Sequence, residues 1–243
     1  MKIKILLLIF SIIYLVCYII KLFNLSYKNE HFNNNKINII QTWKTKDIPD
    51  KYKSLVNKIK TLNPTYNYIF FDDNDIEKFV REKYPNYYDF FNNFKYTIQK
   101  IDFFRYLAVY YYGGFYFDLD ILLFRNLDTI NKNKCIFPIE FLLNSDNILL
   151  KQNMKKLIGN YAFYAPKKHP FLKKIIDNIV NNRIDMKLNN KEKYVYYTTG
   201  PVMVTQSYID YENKEEIELI QPIPFKPSHF GQYGKHLNNG NWK

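Results

Sequence analysis

Two aspartates stand inside an otherwise apolar run, Gly113-Gly114-Phe115-Tyr116-Phe117-Asp118-Leu119-Asp120-Ile121-Leu122-Leu123-Phe124. No other feature restricts the fold as strongly. Burying an unpaired carboxylate is expensive, so two of them in a buried strand demand a compensating partner. Residues two apart on a strand face one side, so Tyr116, Asp118 and Asp120 are expected to line one surface. A divalent cation is the natural partner for two nearby hard oxygen ligands, and it also bridges a diphosphate. Gly113 and Gly114 end the preceding helix and permit close backbone approach. A bare Asp-x-Asp is common, and Asp73-Asn74-Asp75 is a second copy. That copy sits in a polar stretch ahead of a helix, where capping accounts for it. The copy at Asp118 has no such local explanation.

Around this run, strands alternate with helices. Ile37 to Trp43 reads as a first strand running into a loop. Lys51 to Leu62 has helical spacing at Tyr52, Leu55, Val56 and Ile59 and stops before Pro64. Tyr66 to Phe71 alternates as a second strand. Asp72 to Asp75 caps a helix over Ile76 to Tyr84, and an apolar helix spans Ile98 to Tyr112. The alternation predicts an α/β domain. Within the apolar helix, Asp102 and Arg105 are three residues apart and share a face. Their apolar neighbours point to a buried pair beside the Asp118 strand rather than a surface ion pair.

The N-terminus carries a different signal. Ile5 to Ile20 has no charge and no proline, and only Ser11 is strongly polar. With Leu22 and Phe23 it reaches the roughly 20 residues that cross a bilayer as a helix. A cleaved signal peptide is the competing reading, but no small-residue cleavage site follows. The expected organisation is a cytoplasmic tip (1–4), a transmembrane signal-anchor (5–23), a stem (24–36) and one domain (37–243). Lys2 and Lys4 precede the run, and positive flanks stay cytoplasmic. The domain is therefore expected on the lumenal side of a type II single-pass protein, although Lys21 and Lys28 weaken the asymmetry.

Composition excludes several classes. Hydrophobic residues make up 47% of 243, enough for a substantial core. The formal net charge is +12, but the lysines are scattered. No helix-turn-helix, zinc-finger or RNA-binding motif is present, so nucleic acid is not an expected partner. The excess suits a solvated surface, phosphate-bearing ligands or anionic membrane. Cys17 lies in the apolar segment and Cys135 in the domain, so no disulfide framework is expected.

Several ordered motifs resemble the glycosyltransferases with a DXD sugar-binding motif. They are Ile40-Gln41-Thr42-Trp43-Lys44-Thr45, Gln99 to Tyr106, Gly113 to Asp120, Ala165 to Phe171, Thr198-Thr199-Gly200-Pro201 and His236 to Trp242. This family, numbered 32 among glycosyltransferases, includes Golgi α-1,6-mannosyltransferases, inositol-phosphoceramide mannosyltransferase subunits and capsular-polysaccharide transferases. The resemblance implies a GT-A fold, Rossmann-like, with a mixed central sheet flanked by helices. It implies Mn²⁺ or Mg²⁺ and transfer of mannose, galactose or glucose with retention. The donor would be a UDP- or GDP-hexose; the acceptor would be a glycan, glycoprotein or glycolipid. Asp102, Arg105, Asp118 and Asp120 would form the catalytic set. Trp43, Gly113, Gly114, Tyr116, Gly200 and Trp242 would bind donor with Asp102, Arg105 and Asp118. Asp118, Asp120, His236 and Asn241 would hold the metal. The family's His before Gln-Thr-Trp is Ile40 here, and its Gly-Ser-Trp ending is Gly240-Asn241-Trp242. Two alternatives stay open: a haloacid-dehalogenase-like phosphatase, and a non-catalytic sugar-binding subunit that works with a partner.

Overall fold

A computed structural model of the chain describes residues 14, 15, 18, 36–140, 157–181, 190–222 and 229–239. In chain order the elements of the domain are β1 (Asn38–Thr42), α1 (Asp50–Leu62), β2 (Asn67–Phe71), α2 (Asp73–Lys83), α3 (Pro85–Asn92) and α4 (Thr97–Tyr112). Then come β3 (Gly114–Phe117), β4 (Ile121–Leu123), β5 (Cys135–Glu140), β6 (Leu157–Ile158) and β7 (Ala162–Ala165). The remainder is α5 (Pro170–Asn181), α6 (Lys191–Thr198), α7 (Pro201–Ile209), β8 (Ile217–Ile220), β9 (His229–Phe230) and β10 (Gly234–His236).

The helices follow from their residues. α1 buries Tyr52, Leu55, Val56 and Ile59, the predicted stripe. Asp72 and Asp75 close a capping box over the start of α2, with Asp75 N donating to Asp72 Oδ1 at 2.8 Å. The second Asp-x-Asp is therefore a helix cap, as expected. α4 is buried along most of its length, including Phe103, Phe104, Tyr106, Leu107, Ala108 and Val109. Each such large side chain contributes about 1.5–3 kcal/mol on burial, so α4 is the central helix of the core.

The main sheet is mixed, in the order β2-β1-β3-β7-β5, with β6 and β8 also paired to β5. β2, β1 and β3 are parallel, β7 is antiparallel to β3 and β5, and β8 is parallel to β5. Ile40, Tyr116, Phe163 and Phe137 face the core that α4, α5 and α7 cover. The opposite face meets α1 through Tyr68 and Phe70, and meets a small antiparallel sheet, β4-β10-β9, through Phe117 against Phe230. The result is a three-layer α/β domain.

The sequence reading needs one correction here. The strand expected over 115–124 is two strands in two sheets. Ile121 N bonds the Asp118 carbonyl at 3.2 Å, closing a turn, and the chain then leaves β3 to pair with β10. Gly113 closes α4 and Gly114 opens β3, as expected, at the end of the strand away from the aspartates. Their smallness serves packing. A Cβ on Gly114, whose φ is +108°, would meet the Asn38 carbonyl oxygen at 2.2 Å. Gly114→Ala is expected to lower stability by roughly 3 kcal/mol, read as a shifted denaturant midpoint.

Among the described residues no helix is long and apolar enough to cross a membrane. The expected anchor over 5–23 lies outside the described residues except for Tyr14, Leu15 and Tyr18, which are helical and exposed. Cys135 is buried and free.

Candidate active site

The turn between β3 and β4 carries both aspartates, and each is tied to a different sheet. Asp118 N donates to the Tyr161 carbonyl at 2.8 Å, and Gln41 Nε2 donates to the Asp118 carbonyl at 3.2 Å. Tyr68 in turn orients Gln41 through a 2.9 Å bond. Asp118 Oδ1 accepts from the Tyr116 hydroxyl at 3.0 Å and pairs with Arg105 Nη1 at 3.3 Å. Asp120 immediately precedes β4 and is tied to the other sheet. Its carbonyl accepts from Leu237 N at 3.1 Å and its Oδ2 from Asn239 N at 2.8 Å. Its Oδ1 pairs with His236 Nε2 at 3.0 Å. The His236 ring stacks on Tyr161 with centroids 4.6 Å apart.

Beneath this turn, Asp102 and Arg105 form a pair 3.0 Å apart, with side chains only 5% and 3% exposed. This is not a surface ion pair. Asp102 Oδ1 also accepts from Asn160 Nδ2 at 3.1 Å, and Oδ2 accepts from the Thr199 hydroxyl at 2.9 Å. Arg105 Nη1 donates to the Asn160 carbonyl at 2.8 Å, and the guanidinium lies 4.6 Å from the Tyr116 ring centroid. Arg105 Nε is buried with no partner. Burial pushes the Asp102 carboxyl up to about 6 against the opposing pull of Arg105, Thr199 and Asn160. Burial raises Asp118 as well, with Arg105 and His236 working against it.

Asp118, Asp120 and His236 each offer a donor atom, all within 4.8 Å of one another. Two carboxylate oxygens and an imidazole nitrogen fit a divalent cation such as Mn²⁺. Burial opposes the charged form of His236, but its hydrogen bond to Asp120 and the carboxylates of Asp118, Asp120 and Glu140 hold it above 6.5. Burial likewise opposes ionisation of Asp120, yet His236 and the Asn239 amide hold it below 3.8. Each partner of the pair thus favours the charged form of the other. On the histidine side, its stabilisation is complete below 6.5 and is lost as pH climbs through the raised value. On the aspartate side, it is present above 3.8 and fades as pH falls through the lowered value. A cation held by His236 would compete with a proton for the imidazole nitrogen. Mn²⁺ affinity is expected to rise with pH by up to roughly tenfold per unit as long as His236 is protonated, and to level off above its raised value. Metal titration at stepped pH checks this.

The structure gathers Asp102, Arg105, Tyr116, Asp118, Asp120 and His236 into one site. Trp43 sits on the α1 face, edge-to-face with Tyr52 at 5.4 Å, in a cluster that includes Leu119 and Leu122. Gly200 lies at the corner between α6 and α7, with its amide donating to the Val195 carbonyl at 2.9 Å. Asn241 and Trp242 lie outside the described residues. Sequence reasoning gave no role to Gln41, Asn160, Tyr161, Thr199 or Glu140. Gln41 and Thr199 stood inside quoted motifs. Asn160 interrupts two apolar runs at Gly159-Asn160-Tyr161, between β6 and β7. Glu140, half-buried at the end of β5, is pushed by burial to about 7, with His236 pulling it down and Asp118 pushing it up.

Residues 49–137, which hold the Asp118–Asp120 turn, match the family model described as a glycosyltransferase sugar-binding region containing DXD motif. The chain is 30% identical over 176 residues to inositol phosphoceramide mannosyltransferase 1 of Schizosaccharomyces pombe, covering 71% of this chain and 51% of that protein. It is 29% identical over 198 residues to mannosyl phosphorylinositol ceramide synthase SUR1 of Saccharomyces cerevisiae, covering 77% and 47% respectively. The chain thus spans about half the length of the curated relatives it matches. The solved PaToxG glycosyltransferase shares the fold, with a TM-score of 0.52 at 21% identity over 79% of this chain and 76% of that one. That likeness and the mixed central sheet make the domain GT-A-like. None of these proteins carries a phosphatase's name. With the DXD turn, the buried Asp102–Arg105 pair and these relatives together, the chain belongs to the glycosyltransferases with a DXD sugar-binding region.

Proposed function

We propose that the chain transfers a hexose, with retention, from a nucleotide diphosphate-sugar to a hydroxyl of a glycolipid or other glycan. The observation that carries this is the convergence of Asp118, Asp120 and His236 within 4.8 Å, next to a buried acid–base pair. Those residues would hold Mn²⁺ or Mg²⁺, which when bound would supply positive charge for a departing diphosphate. Arg105 fixes the Asp118 carboxylate and, through Asn160, the floor of the site. Asp102 keeps one lone-pair direction on Oδ2 for a donor hydroxyl. The acceptor hydroxyl attacks on the side from which the diphosphate leaves, and the donor phosphate takes its proton. The names of the yeast relatives favour mannose and an inositol-phosphate lipid headgroup. The apolar run at Ile5 to Ile20 supports a membrane-anchored, lumenal enzyme, and Asn241 and Trp242 belong to the segment that would close over the diphosphate.

The test is the purified full chain with Mn²⁺ and a panel of UDP- and GDP-sugars, reading nucleotide release with and without chelator. One donor is expected to be consumed, and only with metal. Release that persists in chelator would overturn the metal dependence. No release from any donor would favour a sugar-binding subunit that needs a partner.

A further inference from the structure

Glu140 ends β5 half-buried beside the metal-binding set, and no described residue makes a hydrogen bond or ion pair to its carboxylate. It is close enough to His236 and Asp118 for each to act on its charge. Nearby, Tyr161 is 3% exposed and its hydroxyl has no hydrogen-bond partner. A buried phenol ordinarily finds one. Both side chains flank one point: a Cβ added to Gly159 would stand 2.6 Å from Tyr161 Cε1 and 2.7 Å from Glu140 Oε1. A side chain at Gly159 would collide with both. The Tyr161 ring then stacks directly on His236.

The complement of an acceptor-only carboxylate and a phenolic donor is a group that both gives and takes hydrogen bonds. A sugar hydroxyl does both. A cation is the rival occupant for a lone carboxylate. Among the described residues, however, the ligand atoms that cluster tightly enough belong to Asp118, Asp120 and His236, not to Glu140. We propose that Glu140 and Tyr161 form a sugar-hydroxyl subsite next to the metal set, the carboxylate accepting from the hydroxyl and the phenol donating to the sugar oxygens. The inference rests on the donor-site reading above. The hydroxyl is either one on the donor hexose or one on the acceptor.

Glu140→Gln, Tyr161→Phe and Asp120→Asn in the full chain separate the outcomes. Calorimetric titration with Mn²⁺ would use GDP, GDP-mannose, UDP and UDP-glucose, followed by rates of nucleotide release and of transfer to glycolipid. Glu140→Gln is expected to bind the nucleoside diphosphate as wild type does. If the hydroxyl is the donor's, nucleotide-sugar affinity falls about 10- to 100-fold. If it is the acceptor's, both affinities hold and transfer falls by that factor while hydrolysis of the donor stays. Tyr161→Phe is expected to show the same pattern more weakly and to melt higher, since an unsatisfied buried hydroxyl is gone. Glu140→Gln with unchanged affinity, hydrolysis and transfer overturns the subsite, provided Asp120→Asn has lost diphosphate binding. A Tyr161→Phe protein that melts lower shows a hydroxyl already partnered and removes Tyr161 from it. If the wild-type chain binds none of the four nucleotides, the donor-site reading itself has failed, and the subsite with it.

Discussion

Asp120→Asn is expected to cut metal-dependent nucleotide release about 100- to 1,000-fold while leaving the fold intact. Asp120 sits in a turn, not in a core strand, and its backbone bond to Leu237 is untouched by the change. The amide keeps one acceptor oxygen but brings an NH₂ to face either Asn239 N or His236, both of which donate to the carboxylate. The negative charge that a cation would need is gone. Asp118→Asn should cost less metal affinity, because Asp118 Oδ1 is already shared with Arg105 and the Tyr116 hydroxyl. Mn²⁺ affinity and nucleotide release, measured on both variants at one pH, test the order. Equal turnover in Asp120→Asn and wild type would sink the assignment.

The second large effect falls on stability. Arg105→Ala should cost about 3–5 kcal/mol, because it strands Asp102, which is only 4% exposed, and removes the donor to the Asn160 carbonyl. Arg105→Lys should recover only part of this, since a lysine ammonium cannot serve Asp102, Asp118 and the Asn160 carbonyl with a planar fork. Asp102→Asn combined with Arg105→Met should lose less than Arg105→Ala alone, because no unpaired charge is then left buried. Denaturant titration measures all three. A loss under about 1 kcal/mol for Arg105→Ala would place the pair among surface ion pairs in energy.

Local chemistry made half of the fold legible. The α1 stripe, the Asp72 cap and the glycine stop after Tyr112 are each written within a few neighbouring residues, and each lies where expected. The break after Phe117 was not legible. Residues 115–124 carry the hydrophobicity of one long strand, and only pairing with β10, far along the chain, shows where the first sheet ends. Asn160 was hidden for the same reason. Its role depends on an interruption between β6 and β7, which places its amide against Asp102 and Tyr106. The two aspartates themselves were legible because burial of charge needs a reason. His236 was legible only through the family resemblance, since a lone histidine near a chain's end carries no periodic signal.

The turn from Asp118 to Asp120 is also a mechanical joint. Asp118 is riveted to the large sheet through Tyr161 and Gln41, and Asp120 to the small one through Leu237 and Asn239. The two jaws of the site are thus mounted on separate plates. An ion that gripped both jaws would fix the spacing of the plates. Conversely, a ligand that tilts the small sheet changes how well the jaws can grip.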